Sequence, residues 1–184
     1  MDRRQSLGFM GTFAATLAFG SAASATTAHA VSLVELVRRS TRIARATALD
    51  SFARTEEIGG ARHIVTYSRL RIDDSIHGAS GDSETLVRTL GGRIGDLGEI
   101  VHGEAELALN ETSLVFLMLD PDGVELVTGM AQGHYPVALD RAGVPRLQLS
   151  RNLPQLIGGP TSAVAQLTGK PFSDASALIL GARR

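Results

Sequence analysis

The residues with chemical potential in this chain are few, and their spacing is the first thing to test. His134 stands between Gln132 and Tyr135, and Glu111 lies upstream of them. An imidazole, an amide and a carboxylate around a loop-lined cleft are the parts of a hydrolase-like enzyme. That reading requires His134, Glu111 and Arg93 to meet within hydrogen-bond reach, whereas a binding module would scatter them. Apart from His29 in the leader, the other histidines, His63, His77 and His102, share no spacing that sets two imidazoles on one face of an element, so no metal site is expected. Asp120-Pro121-Asp122-Gly123 echoes the opening of a calcium loop but lacks the third acid and the distant glutamate, which leaves a hairpin turn. Asp73 and Asp74 are neighbours on an expected strand and point to opposite faces, so they make no working carboxylate pair. A Gly-x-Ser-x-Gly nucleophile elbow is missing from the sequence. No catalytic residue is assigned and no cofactor is expected.

The glycine cluster Gly91, Gly92, Gly95 and Gly98 is the other special feature. Glycine admits positive φ and lets a ligand approach the backbone, so the loop reads either as a structural bend or as a binding loop that presents Arg93 and Asp96. It is a poor phosphate cradle, because no helix follows to aim its N-terminus at an anion. The possible ligand-binding residues are therefore Gly91, Gly92, Arg93, Gly95, Gln132 and His134.

Strands position these residues. Ser32-Leu33-Val34-Glu35 is a capping box that opens a short helix ending near Arg39. Thr41 to Arg54 is Ala-rich and reads as a strand, ended by a turn at Glu57-Ile58-Gly59-Gly60. In the next strand Ile64, Thr66, Ser68, Leu70 and Ile72 share one parity while Arg69, Arg71 and Asp73 share the other. Thr85, Val87 and Thr89 mark a third strand. Ser113 to Leu119 is a dense apolar run suited to a buried central strand. Asp120 to Gly123 turns it back, so Val124 to Met130 should pair antiparallel with it. A last strand begins near Tyr135 with Val137 and Leu139. Beyond Arg141 the period is lost until Pro171-Phe172-Ser173-Asp174 opens a final short helix, with Ala177, Leu178 and Leu180 expected as its packing side.

The start of the chain carries an address. Arg3-Arg4 precedes a weakly apolar run from Leu7 to Ala25 that closes on Ala28-His29-Ala30, the small-x-small pattern that a signal peptidase reads. Arg3 and Arg4 followed by Leu7 resemble the bacterial twin-arginine export motif, with Ser6 where an apolar residue is usual. An uncleaved spanning helix is the alternative, and Gly11, Thr12, Gly20 and Ser21 make the run a poor one. Residues 1–30 are read as a signal peptide, 31–140 as a β-barrel domain and 141–184 as a C-terminal extension. Periplasmic or extracellular localisation follows, with no stable membrane span after cleavage.

Charge and cysteine content bound the rest. The chain has 18 Lys+Arg and 19 Asp+Glu, and the leader takes Arg3 and Arg4 against Asp2, so the mature part is net acidic by two. No nucleic-acid partner is expected, since phosphate backbones require dense positive surfaces. The absence of cysteine excludes disulfide staples and thiolate ligands, leaving stability to packing.

Within this frame the segment from Ile64 to Val137 resembles a family of secreted bacterial proteins. The family's core reads Thr-x-Gly-Gly-x-x-Gly, then Val-x-Gly, a Gly-Glu before an apolar Phe-Leu strand, and a closing Gln-Gly. Here these are Thr89 to Gly95, Val101-His102-Gly103, Asn110-Glu111 before Phe116-Leu117, and Gln132-Gly133. Asn110 replaces the usual glycine and Leu107 the usual aromatic; Asn tolerates positive φ best among non-glycine residues. The resemblance carries no catalytic residues. The order of elements is also similar to the oligonucleotide- and oligosaccharide-binding (OB) barrel, in its netrin and metalloprotease-inhibitor branch. Inhibitors of that branch chelate zinc with an N-terminal cysteine, and Val31 cannot do so.

The expected fold is mainly β: a small antiparallel OB-like β-barrel or a sandwich of five to six strands, with a short helix near each end. The expected function is an exported, non-catalytic binding or interaction module for an unknown protein or small-molecule ligand. The alternatives are the hydrolase-like enzyme around His134, Gln132 and Glu111, and an accessory to a secreted protease or surface complex.

Overall fold

The apolar run between Ser113 and Leu119 is buried from Ser113 through Leu117, and its alternate side chains enter two different cores. Leu114 and Phe116 join one cluster with Leu33, Leu36, Ile43, Tyr135 and Leu147. Val115 and Leu117 join another with Ala46, Ala48, Leu70, Val87, Ala105 and Val127. A strand covered on both faces has no need of polar alternation, which is why the run is continuous.

The computed structural model describes residues 27–78 and 83–183. In chain order the elements are β1 (Thr27–His29), α1 (Leu33–Arg39), β2 (Arg42–Ile58), β3 (Ala61–His77), β4 (Glu84–Leu90), β5 (Gly92–Ile94), β6 (Leu97–Glu99), β7 (Thr112–Leu119), β8 (Glu125–Val127), a 3-10 turn (Met130–Gly133), β9 (His134–Leu139), β10 (Pro145–Leu147), β11 (Gln155–Ile157), α2 (Ala163–Leu167) and α3 (Phe172–Gly181). The fold is mainly β with a short helix near each end. Arg3 and Arg4 lie outside the described residues, while Ala28 and Ala30 lie within them.

Seven strands form the main sheet in the order β10-β9-β7-β2-β3-β4-β8, and β8 also pairs with β7. The pairings β7-β2-β3-β4-β8-β7 thus run as a barrel-like ring. Its closure is thin: β8 meets β4 in parallel through two residue pairs and β7 through three. The small side chains of Ala46, Ala48 and Ala105 fill this narrow interior, which accounts for the alanine content of β2. The β2–β3 ladder slips between Ala48 and Asp50, leaving Leu49 unpaired. That bulge resets the parity, so Ser51 and Ser68 share one face while Asp50 with Arg69 and Phe52 with Tyr67 share the other.

Among the described residues the main sheet has seven strands, the tail adding β10 to the barrel strands read from the sequence. Two expectations are corrected, the length of the return strand after Gly123 and the packing side of the last helix. The return strand after Gly123 is only Glu125–Val127; Gly129 and Met130 then take positive φ and turn the chain into the 3-10 segment. Helix α3 buries Phe172, Ala175 and Ile179, while Ala177, Leu178 and Leu180 are exposed; the docking side is set by contact with α1 and the sheet, and apolar residues occur on both sides of the helix. The extension after Arg141 packs on the barrel, since Leu147, Ala163, Leu167, Phe172, Ala175 and Ile179 share a core with α1 and β7. Helix α2, capped by the Ser162 hydroxyl accepting from the Ala165 amide, is an element the sequence pattern does not announce.

Candidate functional site: a polar cavity under the glycine hairpin

Thr66 and Ser68 of β3 and Thr89 of β4 put three hydroxyls on the inner face where apolar side chains would otherwise continue. They line a cavity of about 280 Å³ together with Gly91, Gly92, Glu99, Ile100, Val101, Glu104, Leu107 and Asn152. Its roof is the β5–β6 hairpin, built from the glycine cluster. Gly91 has φ +90°, and a Cβ there would sit 2.9 Å from the Glu99 carbonyl oxygen, so only glycine lets the two strands of this hairpin close.

Glu99 fixes the hairpin to the barrel. Its carboxylate lies 2.7 Å from Nδ1 of His63 and accepts the Ile64 amide at 2.6 Å. The hydrogen bond from His63, then that from Ile64, hold Glu99 below its ordinary carboxylate pKa. Leu97 and Ile100 are strongly exposed, at 71% and 81%, and of the two Ile100 lines the cavity and gives it an apolar lip.

Glu104 forms part of the cavity wall. It is only 8% exposed, and its carboxyl accepts the Ala105 amide at 2.9 Å and the Leu90 amide at 3.2 Å. Burial pushes its pKa up, and the two amide bonds only partly oppose this. Among the described residues no basic side chain hydrogen-bonds to it. A carboxyl held by two amides inside a hydroxyl-lined cavity can accept from an N–H or O–H of a bound molecule. When protonated it can also donate. Glu104, Leu90 and Thr89 also line a second, smaller cavity of about 240 Å³ with Arg88, Leu126 and Met130, so this wall separates two openings.

The residues singled out from the sequence divide between this site and elsewhere. Gly91 and Gly92 line the cavity. Arg93 is exposed and donates to the Gly95 carbonyl at 2.8 Å, within the hairpin tip. His134 lies elsewhere, buried at 1% exposure, with Nδ1 3.0 Å from the Ser150 hydroxyl and Nε2 3.0 Å from that of Ser113. Burial, with a smaller contribution from Arg151, lowers its pKa to about 4, so it is a neutral bridge between two serines. Gln132 hydrogen-bonds the backbone at His29 and Val31. Glu111 pairs with Arg151. His134, Glu111 and Arg93 therefore do not converge, and among the described residues no group of three His, Asp or Glu is placed to hold a metal ion.

Glu104 and the hydroxyl row went unassigned in the sequence. The available signal was the parity of Thr66 and Ser68, which matches Ile64, Leu70 and Ile72 and so places hydroxyls on a buried face. Glu104 carried none, because an acid between Gly103 and Ala105 reads as a solvated loop.

A larger groove of about 710 Å³ runs between α1 and α3, lined by Leu33, Val34, Ala177 and Leu178 with Lys170 and Asp174 among its polar groups. The smaller cavity has the denser set of convergent polar groups and is the better candidate for specific recognition. No protein-family model matches this chain, and no curated protein matches it.

Proposed function

We propose that the protein is an exported, non-catalytic binding module whose site is the cavity beneath the β5–β6 hairpin. The observation that carries this reading is the buried Glu104 carboxyl in one cavity with the Thr66, Ser68 and Thr89 hydroxyls, with the exposed Ile100 at its lip. Such a wall suits a ligand that offers hydrogen-bond donors to the interior and an apolar portion to the lip. The ring of strand pairings supports the OB-like reading, in which a barrel wall and its loops form the binding surface. Export rests on the leader pattern, and this domain would work in the periplasm or outside the cell.

The enzyme alternative is less favoured because His134 is engaged at both ring nitrogens by serine hydroxyls and is screened from solvent. An accessory role beside a secreted protease or surface complex is compatible with the exposed Leu97 and Ile100.

The test is a fragment screen by amide NMR on the mature chain, using small hydroxyl- and amide-bearing compounds. Binding should shift the amides of Thr89 to Gly92, Glu104 and Ala105 together, and Thr89→Val should weaken it. Shifts spread over the surface, or gathered at the α1–α3 groove, would refute the assignment.

A further inference from the structure

The segment carrying the expected leader cleavage bond is built into the fold. Strand β1 runs parallel to β11, with Ala28 opposite Leu156 and His29 opposite Ile157. The Ala30 amide donates to the Ile157 carbonyl at 2.9 Å. Across the next bond Gln132 acts as a clamp: its Nε2 donates to the His29 carbonyl at 3.0 Å, and its Oε1 accepts the Val31 amide at 2.8 Å. Gly129 and Met130, both in the left-handed region, turn the chain that presents Gln132.

The Ala30 side chain is claimed as well. A Cβ on Gly158 would lie 2.3 Å from the Ala30 Cβ, so the alanine methyl occupies the space left by the missing side chain of Gly158. Beyond this point the chain is tied to the core, since the Val31 carbonyl accepts the Ala163 amide at 2.8 Å and Ser32 bridges to Ser162. The boundary between a peripheral strand and the packed domain thus falls at Ala30–Val31.

A signal peptidase needs this same stretch extended, with the Ala28 and Ala30 side chains in its own pockets. We propose that Thr27 to Val31 have two mutually exclusive docking sites, the peptidase and the slot formed by β11, Gly158 and Gln132, so that leader removal from the folded chain requires β1 to detach first. Hydrolysis breaks the Ala30 C–N bond; water supplies the oxygen of the new Ala30 carboxylate and the protons of the Val31 ammonium. Gln132 Oε1 can keep that ammonium as a donor, while its Nε2 loses the His29 carbonyl.

The inference rests on the leader reading and is independent of the cavity. The experiment uses the full chain and purified signal peptidase in detergent micelles, with Gly158→Val as the variant that blocks the slot and leaves the cut sequence intact. Folded wild type should be cut about tenfold or more slowly than folded Gly158→Val, the scale expected from losing several modest hydrogen bonds. Both chains should be cut equally when unfolded in urea before assay. Equal rates for the two folded chains would overturn the gating, and failure to cut even the unfolded chain would overturn the leader reading beneath it. Should Gly158→Val not fold, amide hydrogen exchange at Ala30 in the wild-type chain decides the matter: protection supports the slot, and exchange at the free-peptide rate sinks it.

Discussion

The Thr66 hydroxyl donates to the Gly91 carbonyl at 2.7 Å and occupies the space beside Gly92 so fully that a Cβ there would lie 2.3 Å from its oxygen. Gly92 also has φ +137°, a backbone that side chains rarely adopt. Gly92→Ala is therefore expected to cost about 1–3 kcal/mol by combining strain with displacement of Thr66. Adding Thr66→Ala should recover only the steric part, because φ is unchanged. Denaturant melts of the four members of this cycle measure the coupling.

Phe116 is fully buried and meets the Tyr135 ring edge to face at a centroid distance of 6.1 Å. Phe116→Ala should lose about 3–5 kcal/mol of stability through lost burial and the cavity left behind. Leu119→Ala, on the same strand but 49% exposed, should stay within about 0.5 kcal/mol. Chemical denaturation of both variants checks the contrast, and similar losses would contradict the two-sided burial of β7.

His134 predicts an acid-sensitive fold. Its folded pKa is about 4 against an ordinary 6.5, so in this window the unfolded chain binds a proton that the folded chain refuses. Stability must fall as pH drops through the window, by at most about 1.4 kcal/mol per pH unit. Glu99, lowered by His63 and Ile64, loses its contribution in the same direction as pH falls. Glu104 has the opposite sign: its raised pKa gives stability that is lost as pH rises through the folded value. Thermal melts from about pH 7 to about pH 4 should show a shallower acid slope in His134→Gln than in wild type. Parallel slopes would mean that the imidazole is already protonated in the fold.

Asn110 holds φ +60°, as its place in a glycine-like turn suggests. Asn110→Val should cost about 1–2 kcal/mol, because a β-branched side chain crowds the left-handed backbone. Asn110→Gly should be close to neutral, since relief of strain is offset by greater freedom in the unfolded chain. Melting midpoints of the two variants give the comparison.

What the sequence settled by itself was local or periodic. Ser32 and Glu35 lie where their spacing requires a helix start, and the Ser32 hydroxyl accepts the Glu35 amide at 3.2 Å. The parity of Ile64 to Ile72 marks a half-buried strand, and Asp120-Pro121-Asp122-Gly123 makes a turn whose Gly123 amide donates to the Asp120 carbonyl at 3.0 Å. These depend on neighbours within a few residues, so the chain order contains them. The cavity does not depend on neighbours: Glu104 acquires its burial and raised pKa only when β3, β4 and the β5–β6 hairpin enclose it. The roles of Gln132 and His134 were likewise decided by distant partners, the backbone at His29 and Val31 for one and the hydroxyls of Ser113 and Ser150 for the other. Sequence spacing governs which side of an element a residue takes, whereas long-range strand pairing governs what faces it there.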